Sequence, residues 1–153
     1  SECEIIDVAL REPIELDESK LIPILLSVSP KGLDIFSIEE IEIWVSAMQS
    51  LVLSAEYRLR FEDGIDKNYL QEKVDSILNQ ETIIVEKVRK RKRSVIDLRP
   101  LIINLHIDNE NDLIAHLSVG DRGNMRPDQL IEQMGLQDEY ISVHRYKLHT
   151  LAP

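Results

Sequence analysis

Six of the seven residues from 87 to 93 are cationic: Lys87, Arg89, Lys90, Arg91, Lys92 and Arg93. Ammonium and guanidinium groups at this density do one thing well, which is to meet phosphate. Just beyond them Asp97 and Arg99 stand two residues apart, so on a regular strand both project from one face. They read either as an ion pair holding the bend at Pro100 or as an anion or substrate site with Arg99 as a forked phosphate donor. His106 and His116 fall on polar phases of two neighbouring strands, on one face, directly opposed or diagonal. A zinc-type site wants three or four protein ligands and no further Cys or His is fixed nearby, so both are read as surface histidines and no metal is expected.

Other chemistries are excluded by what the chain lacks. Cys3 is the one cysteine, so an internal disulfide and a thiolate-held iron–sulfur cluster are both ruled out. Its neighbours Glu2 and Glu4 disfavour a thiolate. There is no Gly-rich phosphate loop and no Gly-x-Ser-x-Gly elbow, and no cofactor is expected. The net charge of −10 opposes nonspecific attraction to nucleic acid or anionic membrane. That average hides a break, because residues 1–50 hold eleven Asp/Glu against three Lys/Arg whereas residues 87–93 are almost wholly basic. Two readings of the basic run follow: a solvated loop or edge strand guarded by charge, or an arm that touches the phosphate backbone.

The elements that must position these residues come from periodicity. With 43% hydrophobic residues, 5 Gly and 6 Pro, the chain predicts a packed core, and at 5% aromatic that core is mainly Ile, Leu and Val. Residues 3–10 predict a strand ended by Pro13, Asp17 a helix cap with Leu21, Ile22, Leu25 and Leu26 turned inward, and residues 33–38 a half-buried strand. From Leu51 the pattern restarts: Leu53, Ala55, Tyr57, Leu59 and Phe61 take one side and Ser54, Glu56, Arg58 and Arg60 the other. A helix follows over 66–79, then strands around Ile83–Val88 and Val95–Leu98, a hairpin over 101–107 and 113–119, and a helix from Pro127 to Met134 closed by Gly135. The final strand sets Ile141, Val143, Arg145 and Lys147 on one side, with Ser142, His144, Tyr146 and Leu148 opposite.

This order predicts an α+β chain. Residues 51–153 fit a ferredoxin-like β-α-β-β-α-β unit with an added hairpin, and residues 1–50 fit the second half of an N-terminal α+β unit. No apolar run approaches the ~18 residues needed to span a bilayer and no charged-then-apolar leader opens the chain, so no membrane partner and a cytoplasmic location are expected.

Several strings resemble the radical-S-adenosylmethionine-linked family of unknown function, in its C-terminal part. They are Ser1-Glu2 with Glu4 and Asp7, the Pro30-Lys31-Gly32-Leu33 turn, Ala55-Glu56-Tyr57-Arg58, and Arg93 to Ile102 with Asp97-Leu98-Arg99-Pro100-Leu101-Ile102 as its most specific element. Arg126-Pro127 and 141–148 match more loosely. Full-length relatives carry a further N-terminal portion with Ser-His-Leu-Asp and Gly-Phe-Asn-Pro-His-Pro strings that this chain does not contain. The resemblance implies association with a radical S-adenosylmethionine protein. Combined with the basic run, it predicts a non-catalytic accessory that binds RNA or presents substrate through residues 87–93. Two rivals stand beside it: an enzyme using Asp97 as acid/base and Arg99 on an anionic substrate, and a structural domain that pairs through a sheet edge.

Overall fold

The computed structural model of the chain describes residues 3–15, 17–42, 47–89, 92–120 and 123–151. It divides into Asp7–Ser46 and a larger unit of Ser1–Ile6 with Ala47–Pro153. The smaller unit is built on α1 (Glu18–Val28), and Asp17 caps it as expected, its carboxylate accepting the Ser19 N–H at 3.1 Å. Pro23 stands at the middle of the helix, and of the four residues expected to turn inward Leu21 and Ile22 are half-buried while Leu25 and Leu26 are exposed.

The two strands expected around α1 do not form. Residues 3–10 and 33–38 carry no strand ladder, and Ile6, Val8, Leu10 and Phe36 stand 58–77% exposed. Alternation marks a segment able to be half-buried, but a strand also needs a neighbour's N–H and C=O groups, and among the described residues none pairs with these segments. Residues 7–46 contribute a helix and no strand among those described.

The larger unit runs α2 (Met48–Leu51), β1 (Val52–Phe61), α3 (Lys67–Leu78), β2 (Ile84–Arg89), β3 (Lys92–Asp97), a short 3-10 turn (Arg99–Leu101), β4 (Ile102–Ile107), β5 (Leu113–Ser118), α4 (Pro127–Gln133) and β6 (Ile141–Thr150). It is mixed α+β. Four strands form an antiparallel sheet in the order β4-β5-β1-β6, and β2 pairs only with β3 in a separate two-stranded ladder. The apolar side of β1, with Ala55, Tyr57, Leu59 and Phe61, packs with Leu105, Leu113, Ala115 and Leu117 against Leu70, Val74 and Ile77 of α3 and Leu130 of α4. Each fully buried leucine there contributes roughly 1.5–3 kcal/mol. Asp66 caps α3 by accepting the Tyr69 N–H at 2.8 Å, and Gly135, at φ 68°, closes α4 in the left-handed conformation that glycine adopts without strain. Among the described residues no helix is long and apolar enough to cross a membrane.

Where the β2–β3 hairpin leaves the core, Asp97 and Arg99 act separately. One Asp97 carboxylate oxygen accepts the backbone N–H of Ile83 at 2.7 Å and of Arg99 at 3.0 Å. The Arg99 guanidinium donates to the carbonyls of Gln80 at 3.1 Å, Leu78 at 3.2 Å and Ile102 at 3.4 Å. Carbonyls at the end of α3 have no intrahelical donor, and Arg99 supplies one. The expected Asp97–Arg99 ion pair is therefore replaced by two backbone latches, because the 3-10 turn interrupts the strand just after Asp97 and the two residues no longer share one regular face.

Asp97→Ala strands two backbone donors and should lower the unfolding free energy by about 1–3 kcal/mol, with Asp97→Asn, which keeps an acceptor, recovering part of it. Arg99→Ala should cost less, since of the three residues whose carbonyls it serves Gln80 is exposed and Leu78 half-buried, where water can take its place. Urea unfolding of the three variants measures this; an Asp97→Ala midpoint equal to the parent's removes the latch.

Candidate functional site

The side of the sheet away from α3 and α4 is polar, and among the described residues it gathers many ionisable groups that touch one another. Its centre is Glu56, because β1 is flanked on both edges. The register sets His116 of β5 opposite Glu56 on one side and Lys147 of β6 opposite it on the other. One step along, Ser54 faces Ser118 and His149.

A bulge in β6 makes this convergence. The register shifts between Glu56 and Tyr57, whose partners are Lys147 and Arg145, leaving Tyr146 as the extra residue. Beyond it the inside–outside alternation of the strand reverses. Leu148 packs against the core with Ile141, while Tyr146, Lys147 and His149 all reach Glu56. This corrects the strict alternation expected for the strand, which had placed Lys147 on the side of Ile141 and Leu148 on the side of Tyr146. Arg145, Tyr146 and Lys147 are long amphipathic side chains tolerated on either face, so the local sequence carries no mark of the bulge.

Tyr146 donates its hydroxyl to one Glu56 oxygen at 2.8 Å, and His149 Nε2 lies 2.7 Å from the other. Lys147 Nζ is 3.6 Å from that same oxygen. On the far side of β1, His116 Nε2 lies 2.7 Å from the hydroxyl of the buried Ser54. The His116 and His149 rings stack at 4.6 Å between centroids. The hydrogen bonds from His149 and then Tyr146 hold the Glu56 carboxyl below its ordinary range. Burial, followed by repulsion from His149, lowers His116, and burial together with the Glu56 acceptor pushes Tyr146 up to about 12. At neutral pH the face thus presents an ionised carboxylate and a neutral His116. Ser54 and His116 stand at the distance of a nucleophile and its base, but Glu56 binds His149 rather than His116, so no three-group relay forms.

Further along β1 the cations are answered by acids from the β4–β5 turn. Arg60 reaches both oxygens of the buried Asp112, the nearest at 2.7 Å, and Glu110 at 2.8 Å. Arg58 lies 3.5 Å from Asp108 and 3.6 Å from Glu110. The Asp112 bond raises the Arg60 pKa further. Arg58, Arg60, Ser142, His144 and Tyr146 line an open hollow of about 470 Å³ on this face.

Of the residues singled out from sequence, His106 and His116 do share a face and lie diagonally, His106 opposite Ile114 and His116 opposite Asn104. His106 is exposed beside Asn104, and the partner His116 finds is His149. No spacing rule reveals His149 and Glu56, which are 93 residues apart. Asp97 and Arg99 are engaged with backbone, as above. Lys87, Arg89 and Lys92 lie in the β2–β3 ladder with Arg89 opposite Lys92 and Lys87 opposite Ser94; Arg93 is exposed, and Lys90 and Arg91 fall outside the described residues.

Over residues 1–127 the chain matches a family described as "Uncharacterized protein conserved in bacteria (DUF2344)", and it belongs to that family. The matched span includes Glu56 and His116 and ends before β6 with its Tyr146 and His149. No curated protein and no solved structure matches the chain.

The site's titration sets a pH dependence of stability. Since folding lowers His116 below its ordinary 6.5, the unfolded chain takes up the proton first as pH falls through that value, and stability declines. Glu56 acts at lower pH: its contribution is full above the ordinary 4.5 and is lost as pH falls through its depressed folded value. His116→Asn should therefore flatten the decline between about pH 7 and about pH 5 while leaving the steeper loss below it. Chemical unfolding across that range is the measurement, and parallel curves for parent and variant would show that His116 titrates alike in both states.

Proposed function

We propose that this family member is a non-catalytic accessory module that works in the cytoplasm beside a radical S-adenosylmethionine protein and binds RNA through the basic hairpin of residues 87–93. The observation that carries the reading is the separation of β2 and β3 from the main sheet. A run of cations could have been scattered along a loop; here the antiparallel ladder sets Arg89 against Lys92 and pins both strands at their base through Asp97. Like charges directly opposed across a ladder destabilise it unless a counter-charge is present, and a phosphate backbone supplies one. The link to a radical S-adenosylmethionine protein rests on the shared strings around Asp97-Leu98-Arg99-Pro100.

The strand order supports a finer reading of the fold as well. Omitting the added hairpin, the elements run β1-α3-β4-β5-α4-β6, and the sheet order β6-β1-β5-β4 sets each strand antiparallel to its neighbours. We read this as a ferredoxin-like arrangement with the arm inserted between its first helix and second strand. An enzyme built on Asp97 and Arg99 draws less support, since one Asp97 carboxylate oxygen and all three Arg99 guanidinium nitrogens already serve backbone groups.

Replacing Arg89, Lys90, Arg91, Lys92 and Arg93 by Gln should leave the thermal melt nearly unchanged and abolish most affinity for a single-stranded RNA oligonucleotide. Fluorescence anisotropy across salt should give the parent a logarithmic slope of about 0.7 per phosphate contact, and the variant a shallower one. Undiminished RNA affinity in the folded variant at low salt removes the arm from the function.

A further inference from the structure

We propose that Glu56, His116 and His149 form a binding site for one divalent first-row transition metal ion of the zinc class. Two imidazoles and a carboxylate suit such an ion, and three protein ligands leave a position for water or a further group. Their ligating atoms all lie within 4.8 Å of one another. An ion held at about 2.0–2.2 Å from each sets its ligands roughly 3.5 Å apart, so His149 and Glu56, now 2.7 Å apart, open slightly and the wider spacings, at most 4.8 Å, close by about an ångström through side-chain rotation.

The backbone around the site already fixes its parts. The three ligands come from β1, β5 and β6, adjacent strands of one hydrogen-bonded sheet, so their Cα positions are rigid relative to each other. Tyr146 holds the Glu56 oxygen that is not shared with His149, an outer contact of the kind that orients a ligating carboxylate. All three ligands are half-buried, so an ion can enter from solvent. The metal takes the place of the hydrogen shared by His149 and Glu56, and any proton displaced leaves to water.

One group opposes the ion. Lys147 Nζ stands 3.6 Å from the Glu56 oxygen that would ligate, and its side chain is 57% exposed. A mobile ammonium at the surface competes weakly and can swing away. A network that served only to tie the strands together would gain from Lys147; a metal site is hindered by it, so this residue separates the two roles.

The test uses the whole chain, stripped with chelator and titrated with Zn²⁺ by calorimetry, and with Co²⁺ followed by visible absorption. The expected result is one equivalent of Zn²⁺ at a Kd below about 10 μM, with Co²⁺ giving ligand-field bands that Zn²⁺ abolishes. His116→Ala and His149→Ala should each weaken Zn²⁺ by about 10–100-fold, as should Glu56→Gln, which keeps an acceptor for Tyr146. Lys147→Ala should tighten it a few-fold, and His106→Ala, outside the cluster, should leave it unchanged. Circular dichroism confirms that each variant is folded. No Zn²⁺ binding by the folded parent, binding that survives His149→Ala and Glu56→Gln, or an equal loss with His106→Ala overturns the site. The Gln-substituted arm should bind Zn²⁺ as the parent does, so failure of the RNA reading and failure of the metal site are seen separately.

Discussion

Everything in the larger unit depends on β1 being paired along both edges. A strand between two others has no spare backbone donors, so its side chains alone decide what each face of the sheet becomes. Ala55, Tyr57, Leu59 and Phe61 make one face dry, and α3 and α4 close over it. Ser54, Glu56, Arg58 and Arg60 then have nowhere to go but the opposite face, where β5 and β6 must answer their charges and hydrogen bonds. The polar cluster around Glu56 and the Arg–Asp network beside it follow from the same alternation that builds the core.

That dependence explains which features the sequence makes legible. β1, α3 and α4 each state their period and their ends locally: unbroken alternation from Leu53 to Phe61, Asp66 before a helical stripe, Pro127 and Gly135 around a short helix. The hairpin of β4 and β5 is equally plain, with a polar turn between two alternating runs. Residues 3–10 and 33–38 mislead because they have the composition of strands and lack a partner to complete one. A pattern reports what a segment is able to bury, and pairing is decided elsewhere in the chain.

The site is less legible than the fold for a related reason. His116 can be placed on a face from sequence, but its neighbours come from β1 and β6, and the β6 contribution turns on a bulge that three tolerant side chains do not announce. Asp97 and Arg99 show the opposite failure. Their spacing suggests a pair, yet a 3-10 turn separates them, and each meets the more pressing need of an unpaired backbone group nearby. Charged residues at the ends of elements often serve such groups before they serve one another.

The β6 bulge also makes the strand sensitive to length rather than to composition. Past Tyr146 the chain is one residue out of step with its own alternation, and that offset sends Leu148 to the core and His149 to Glu56. Losing Tyr146 alone would close the bulge and leave Lys147 opposite Glu56, Leu148 opposite Ala55 and His149 opposite Ser54, with only the hydroxyl that holds Glu56 gone. Losing Lys147 as well would set Leu148 opposite Glu56 and His149 opposite Ala55, an isobutyl group in the polar cluster and an imidazole against the core. The bulge therefore gives the end of β6 a tolerance of one residue, and the second residue lost would disturb the interior and the polar face in one stroke.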